Sequence, residues 1–213
     1  MSADGVLVVV SGPSGVGKTT LCKNIVARLP DTMFSVSYTT RKPRPGEREG
    51  VEYCFVDETQ FQDLIREEAF VEWAEVYGHK YGTPKQALLE ALHKGINVLL
   101  EIDAQGARQI MERFAGAVYV FVAPPSLDAL RNRLCRRNLD ARDEIERRLH
   151  EANDEIANFK SYHYFVRNDE LLQATQELES IILAEQVKTN RLDPEWLVEN
   201  GLVEPVMMKK NVT

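Results

Sequence analysis

The run Gly12-Pro13-Ser14-Gly15-Val16-Gly17-Lys18-Thr19-Thr20 gathers several chemical abilities in one short stretch. Glycines let backbone N–H groups turn inward toward an anion, a lysine brings a mobile positive charge, and a hydroxyl offers a ligand to a hard cation. Residues 12–19 satisfy G-x-x-x-x-G-K-[ST] completely, the spacing of a loop that wraps nucleoside triphosphate phosphates. In such a loop Lys18 would bridge the β- and γ-phosphates, and Thr19 would ligate the Mg2+ that accompanies them. The plainer alternative is a glycine-rich turn that only joins a strand to a helix.

Two further groups of residues could complete a phosphate chemistry. Glu101-Ile102-Asp103 sets two carboxylates at the end of an apolar run, where a metal–water shell would suit them. Asp103 equally suits the N-cap of a following helix. Arg41 and Arg44 flank a proline-stiffened loop, and two guanidinium forks held this way fit a dianionic monophosphate. Arg133 and Arg137 are four apart, one face of a helix, and Arg148 lies eleven further on. Like charges on one face repel unless an anion joins them. Arg131, Arg142 and Arg147, in the same run, read as solvated surface.

The elements that must position these groups follow from periodicity. Residues 7–10 are a continuous β-branched and leucine run, as in a strand buried on both faces of a parallel sheet. After the glycine loop, Leu21, Ile25, Val26 and Leu29 recur at helical spacing until Pro30 stops them. Apolar runs at 97–102 and 117–122 predict two more buried strands, each followed by a helical segment, 105–114 and 126–137. A weaker strand at 164–166 precedes a helical pattern at 171–188. Strand, loop and helix in alternation predict an α/β fold, a parallel sheet flanked by helices.

Residues 35–92 break that rhythm. Alternating segments at 53–56 and 70–76 read as half-buried antiparallel strands around a charged helix near 58–67, so an inserted small antiparallel subdomain is expected. Tyr53, Tyr81 and Trp73 could be core residues of that sheet, and Trp73 is read as one. A second interruption, 131–155, is dense in arginine and reads as exposed helices joined by a loop. Residues 189–213 depart from the pattern and read either as a loosely held tail or as an arm packing on a partner subunit, which leaves a homo-oligomer open.

From the phosphate loop through about Lys188 the chain resembles a guanylate kinase. The strings SGPSGVGKTT, SVSYTTRKPRPGE, GVEYCFV, FVEWAEVYGHKYGT, LLEIDAQG, FVAPPS, LRNRL and VRNDEL stand in that family's order with similar spacing. The resemblance implies a P-loop NTPase-type core (1–34, 93–130 and 156–188), an inserted subdomain binding the nucleoside monophosphate (35–92) and a helical lid (131–155), with the tail outside it. It implies ATP-dependent phosphorylation of GMP, and of dGMP, with Mg2+. Residues 12–20 would hold ATP, and Asn168 would lie near its base. Arg41, Arg44, Tyr53 and Tyr81 would hold the GMP phosphate, while Ser37, Glu72 and Thr83 would read guanine, Glu101 and Asp103 completing that side. A carboxylate is an acceptor-only fork, which a purine with two adjacent donors satisfies and adenine does not. Lys18, Arg41, Arg133, Arg137 and Arg148 would stabilise the transferring group. Where the family often has Gly-Arg-Gly, this chain has Arg136-Arg137-Asn138, which leaves lid flexibility least constrained. A protein-interaction module on the same fold, and a P-loop kinase with another phosphorylated acceptor, are the competing readings.

Composition sets the bounds. With 213 residues the chain suits one principal domain with insertions. A net charge of −7 argues against general affinity for a nucleic-acid backbone. The apolar run near the N-terminus is too short for a secretion signal or a membrane span, so a cytoplasmic protein is expected. Cys22, Cys54 and Cys135 are far apart and odd in number, which predicts buried or half-buried free thiols rather than a disulfide framework. The four histidines show no zinc spacing and read as surface or loop residues.

Overall fold

A computed structural model describes residues 4–114, 116–136, 142–192, 194–202 and 204. Strand β1 (Leu7–Ser11) is buried along its length. Its alternate side chains serve two apolar clusters on opposite sides of one sheet: Val8 and Val10 lie in one, Leu7 and Val9 in the other. Helix α1 (Lys18–Arg28) follows and covers the first cluster with Leu21, Cys22 and Ile25. Strand β2 (Thr32–Phe34) comes next, an edge strand of three residues, too short to show a period.

The inserted segment builds its own sheet. It holds β3 (Tyr38–Thr39), β4 (Cys54–Phe55), helix α2 (Glu58–Arg66), β5 (Phe70–Val76) and β6 (His79–Pro84), ordered β4-β3-β6-β5. β5 and β6 form an antiparallel hairpin, and β6 pairs antiparallel with β3. The β3–β4 pair is parallel, because the chain crosses over through the Arg41 loop instead of turning back. The small sheet is therefore mixed rather than antiparallel throughout. Phe61 and Phe70 pack at 4.8 Å between α2 and the sheet. Trp73, expected in that core, is 38% exposed. Strand alternation decides this: Glu72 and Ala74 face inward, which turns Trp73 and Glu75 outward.

The remaining elements are α3 (Lys85–His93), β7 (Asn97–Glu101), α4 (Ala104–Arg113), β8 (Val118–Ala123), α5 (Leu127–Arg136), α6 (Arg142–Ala157), β9 (Tyr164–Arg167), α7 (Leu171–Gln186) and α8 (Pro194–Glu199). α3 and α4 cover the second apolar cluster with Leu88, Ala91, Ala107 and Ile110. α7 covers the first with Ala174, Leu178 and Ile182. The central sheet runs β2-β7-β1-β8-β9, every pair parallel. Chain order reverses at β1, which makes the crevice beyond its C-terminal end the natural ligand position. The glycine loop leaves β1 there, Glu101 and Asp103 leave β7, and Asn168 leaves β9.

Asn97, 2% exposed, ties the sheet's far end together. Its side chain accepts from the Val6 N–H at 3.0 Å and donates to Thr32 Oγ1 at 3.3 Å. α5 and α6 pack on each other through Leu130, Leu134, Leu149 and Ala152. The described part of the C-terminal segment holds a helical turn at Thr189–Arg191 and α8, neither with a buried residue. Arg191 anchors it by donating to the Gly116 carbonyl at 2.8 Å. Cys22 is buried and Cys54 half-buried as expected, whereas Cys135 is exposed, on the outer side of α5. Among the described residues no helix is long and apolar enough to cross a membrane.

Candidate active site

The glycine loop closes onto the N-terminus of α1, with Gly17 at its N-cap and φ of 101°. That angle favours glycine, and a Cβ there would also lie 2.6 Å from Asn168 Nδ2. Asn168 is 5% exposed and braces the loop from behind, its Nδ2 donating to the Val16 carbonyl at 2.8 Å. Arg133 on α5 donates to the same carbonyl at 3.1 Å and to the Asn168 carbonyl at 2.9 Å. The guanidinium thus stitches α5, the loop and the end of β9. No residue spacing announces that stitch, because its partners are backbone oxygens far away in the chain.

Inside the loop, Lys18 Nζ donates to the Gly12 and Pro13 carbonyls at 2.5 and 3.1 Å. Thr19 Oγ1 donates to Glu101 Oε1 at 2.9 Å. The hydroxyl and carboxylate named from sequence therefore stand together at the mouth of the loop. Both are oxygen donors of the kind that a hard divalent cation takes, directly or through water. Asp103 caps α4 by accepting from the Gly106 N–H at 2.9 Å. Burial raises its carboxyl pKa, with the Gly106 N–H acting in the opposite sense.

Across the crevice, the 41–47 loop is held by Arg41, whose guanidinium donates to both oxygens of Glu47 at 2.8 and 2.9 Å and to Tyr81 Oη at 3.2 Å. Its carbon lies 5.4 Å from the Tyr53 ring centre. Burial opposes ionisation of Glu47, yet Arg41 and the Arg44 N–H outweigh it and hold the carboxyl below its ordinary range. Burial likewise pushes the Tyr53 hydroxyl up to about 12, so it remains a donor. Arg41, Tyr53 and Tyr81 are brought together; the Arg44 side chain is exposed on the same loop.

Glu72 sits at the centre. It is 3% exposed on β5, and Thr83 Oγ1 of the neighbouring strand donates to its Oε1 at 2.5 Å. Thr83 is buried beside it on β6, and Ser37, buried just ahead of β3, lies one strand further on. Its other oxygen lies so near α4 that a Cβ on Gly106 would be only 2.5 Å away. Burial raises the Glu72 carboxyl pKa to about 7; the Asp103 charge adds to the rise, while the Thr83 hydroxyl opposes it. Burial of an acidic group at this cost is an arrangement that recurs at functional sites.

On α6, Arg148 stacks over the ring of Tyr77 at 4.7 Å. Arg147 is exposed, as expected of surface, and lies over the same ring at 4.7 Å. Arg137 falls outside the described residues. Sequence reading missed Glu155 on α6. One of its carboxylate oxygens is buried with no hydrogen-bond partner among the described residues, and burial raises its pKa. It lines a cavity of about 140 Å³ with Arg108 and Tyr162, close enough to Lys18 and Asp103 to feel both charges.

A phosphate loop at the switch point of a parallel sheet, faced by an arginine-bearing loop and a buried carboxylate, defines a P-loop nucleotide kinase with a built acceptor side. Comparison with known proteins narrows the class. The sequence model of the guanylate kinase family matches residues 5–185. A guanylate kinase of Carboxydothermus hydrogenoformans is 46% identical over 200 residues, 94% of this chain and 98% of that protein. One from Geobacter sulfurreducens is 48% identical, covering 90% of this chain and 95% of its own length. The crystal structure of guanylate kinase from Anaplasma phagocytophilum superposes with a TM-score of 0.80 at 34% identity, covering 95% of this chain and 98% of that one. The chain belongs to the guanylate kinase family.

Proposed function

We propose that the chain transfers the γ-phosphoryl group of ATP directly to the phosphate of GMP, in line and without a covalent intermediate, and that dGMP serves as well. Glu72 carries this reading: a buried carboxylate bonded by Thr83, with Ser37 one strand further on, can accept from guanine N1–H and the exocyclic amine together. Adenine would leave both the carboxylate and a ring nitrogen unpaired, and an unmet buried charge discriminates strongly. The assigned contacts reach base and phosphate, none the 2′-hydroxyl, which is why the deoxynucleotide is accepted.

On the acceptor side, Arg41, Tyr53 and Tyr81 hold the monophosphate, and Arg44 adds its charge from the rim. Glu47 keeps the Arg41 fork aimed. The phosphate is already nucleophilic near neutral pH, so the protein aligns two polyanions and needs no general base. Lys18 leaves its loop carbonyls for the β- and γ-oxygens, and Arg137 and Arg148 close from the lid. Arg133 and Asn168 act one step back, fixing the Val16 carbonyl and so the loop's curvature. Thr19, with waters on Glu101 and Asp103, would hold Mg2+, which when bound neutralises charge on the bridging phosphate oxygens.

A coupled ADP-release assay with GMP, dGMP, AMP, UMP and dTMP tests the assignment. Turnover with GMP and dGMP at least a hundredfold above the others is expected. Comparable turnover with AMP would remove guanine reading from Glu72.

A further inference from the structure

The hairpin joining β5 to β6 turns on Tyr77-Gly78, between the paired residues Val76 and His79. Both turn residues have positive φ, 52° and 74°. Two positive angles make the mirror-image turn that suits the twist of a hairpin, and its first position favours asparagine, aspartate or glycine. A tyrosine there carries a steric penalty that its own turn does not repay. The explanation lies across the crevice. Tyr77 Oη donates to Glu151 Oε2 on α6 at 3.1 Å, and the guanidinium groups of Arg147 and Arg148 both lie 4.7 Å from its ring centre. Arg147 in turn donates to the other oxygen of Glu151 at 2.6 Å. Two cations share one ring because the carboxylate between them offsets their repulsion.

This knot joins the tip of the acceptor sheet to the lid helix. We infer that Tyr77 is a positioning residue that links the two, seating Arg148 so that movement of the acceptor sheet on GMP carries the lid arginine toward the phosphates. The inference rests on the phosphate role given to Arg148 above. It assigns to Tyr77 no contact with substrate. Its consequence is positive coupling: GMP and ATP each bind more tightly when the other is present, through one shared mechanical joint.

The test compares the wild type with Tyr77→Asn, Tyr77→Phe and Arg148→Lys in the full chain. Asparagine suits the turn better than tyrosine, so the hairpin should melt no lower than the wild type while the joint is lost. Calorimetric Kd values for GMP would be taken with and without a non-hydrolysable ATP analogue, beside kcat and both KM values. Tyr77→Asn should leave GMP affinity alone within twofold, abolish its enhancement by the analogue, and lower kcat about tenfold. Tyr77→Phe, which keeps the ring under both guanidiniums, should fall between. Unchanged coupling in Tyr77→Asn, or no coupling in the wild type, overturns the joint. Arg148→Lys separates the two ideas: if it lowers kcat while Tyr77→Asn does not, the phosphate role of Arg148 stands and the joint alone fails. If Arg148→Lys is silent, the underlying role fails.

Discussion

At Glu72 the guanine-reading role proposed above and stability oppose each other, and the size of the conflict can be worked out. Its carboxyl pKa moves from an ordinary 4.5 to about 7 on folding, chiefly through burial. A raised acid means that the folded protein keeps a proton which the unfolded chain has released. Nothing is lost below about pH 4.5, stability falls as pH rises through that window, and above about pH 7 the full penalty persists. At ~1.4 kcal/mol per pH unit, the interval from 4.5 to 7 corresponds to roughly 3 kcal/mol. Glu72→Gln removes the charge and keeps an oxygen for Thr83, though a neutral acceptor gives back about 1 kcal/mol of a charge-assisted bond. The ligand-free variant should therefore be about 2 kcal/mol more stable than the wild type at pH 8, a rise in melting temperature of ~4–8 °C for a chain of this size. At pH 5, where Glu72 is already protonated in the fold, the gain should vanish. GMP should reverse the order, stabilising the wild type and leaving the variant nearly unmoved. Calorimetric melts of both proteins at the two pH values, with and without GMP, decide it. A variant that melts below the wild type at pH 8, or by the same margin at both pH values, would refute the reasoning.

Gly106→Ala places a methyl 2.5 Å from Glu72 Oε2, so the carboxylate proposed to read guanine must move to make room. The KM for GMP should rise more than tenfold in steady-state kinetics, with the KM for ATP and the melting temperature nearly unchanged. Gly17→Ala combines a backbone penalty of about 1–2 kcal/mol with a clash against Asn168. Made in an Asn168→Ala background it should lose less stability than in the wild type, since only the clash is relieved, and denaturant melts of the four-protein cycle measure that difference. Asn97→Ala orphans the buried Val6 N–H and should destabilise by about 1–3 kcal/mol without touching either KM.

Much of the donor side could be read without coordinates, because it is local. A glycine loop and the helix it feeds occupy consecutive residues, and their spacing is the structure. The same holds for the buried strands, whose apolar runs record burial on both faces. Glu72 was nameable only beside its neighbouring motif, since one carboxylate in an alternating strand looks like any solvated one. Alternation did not place Trp73, because a tryptophan among inward and outward positions gives no phase of its own; Glu72 and Ala74 took the inward side. The bracing of the loop by Asn168 and Arg133 was out of reach. Those side chains meet carbonyl oxygens, and every residue has one, so no residue type betrays the partner. Tyr77 and Glu155 were hidden for a related reason: each is defined by neighbours far off in the chain, Glu151 for Tyr77 and Lys18, Asp103 and Arg108 for Glu155.

The central sheet leaves one edge of its register as a doorway. Met33 of β2 stands opposite Val98 of β7 in a parallel pair, so the chain leaves for the acceptor sheet from the strand that neighbours the one it re-enters. An excursion between two neighbouring strands resembles a loop held at its neck. Closing such a loop depends only weakly on its length, about 0.6 kcal/mol for each doubling. The acceptor sheet can thus be lengthened, shortened or rebuilt while the neck and the phosphate loop keep their geometry. Exchange of that one segment, cut after β2 and before α3 so that Leu88 and Ala91 stay in the core, is the natural route to a kinase of this architecture with a different acceptor.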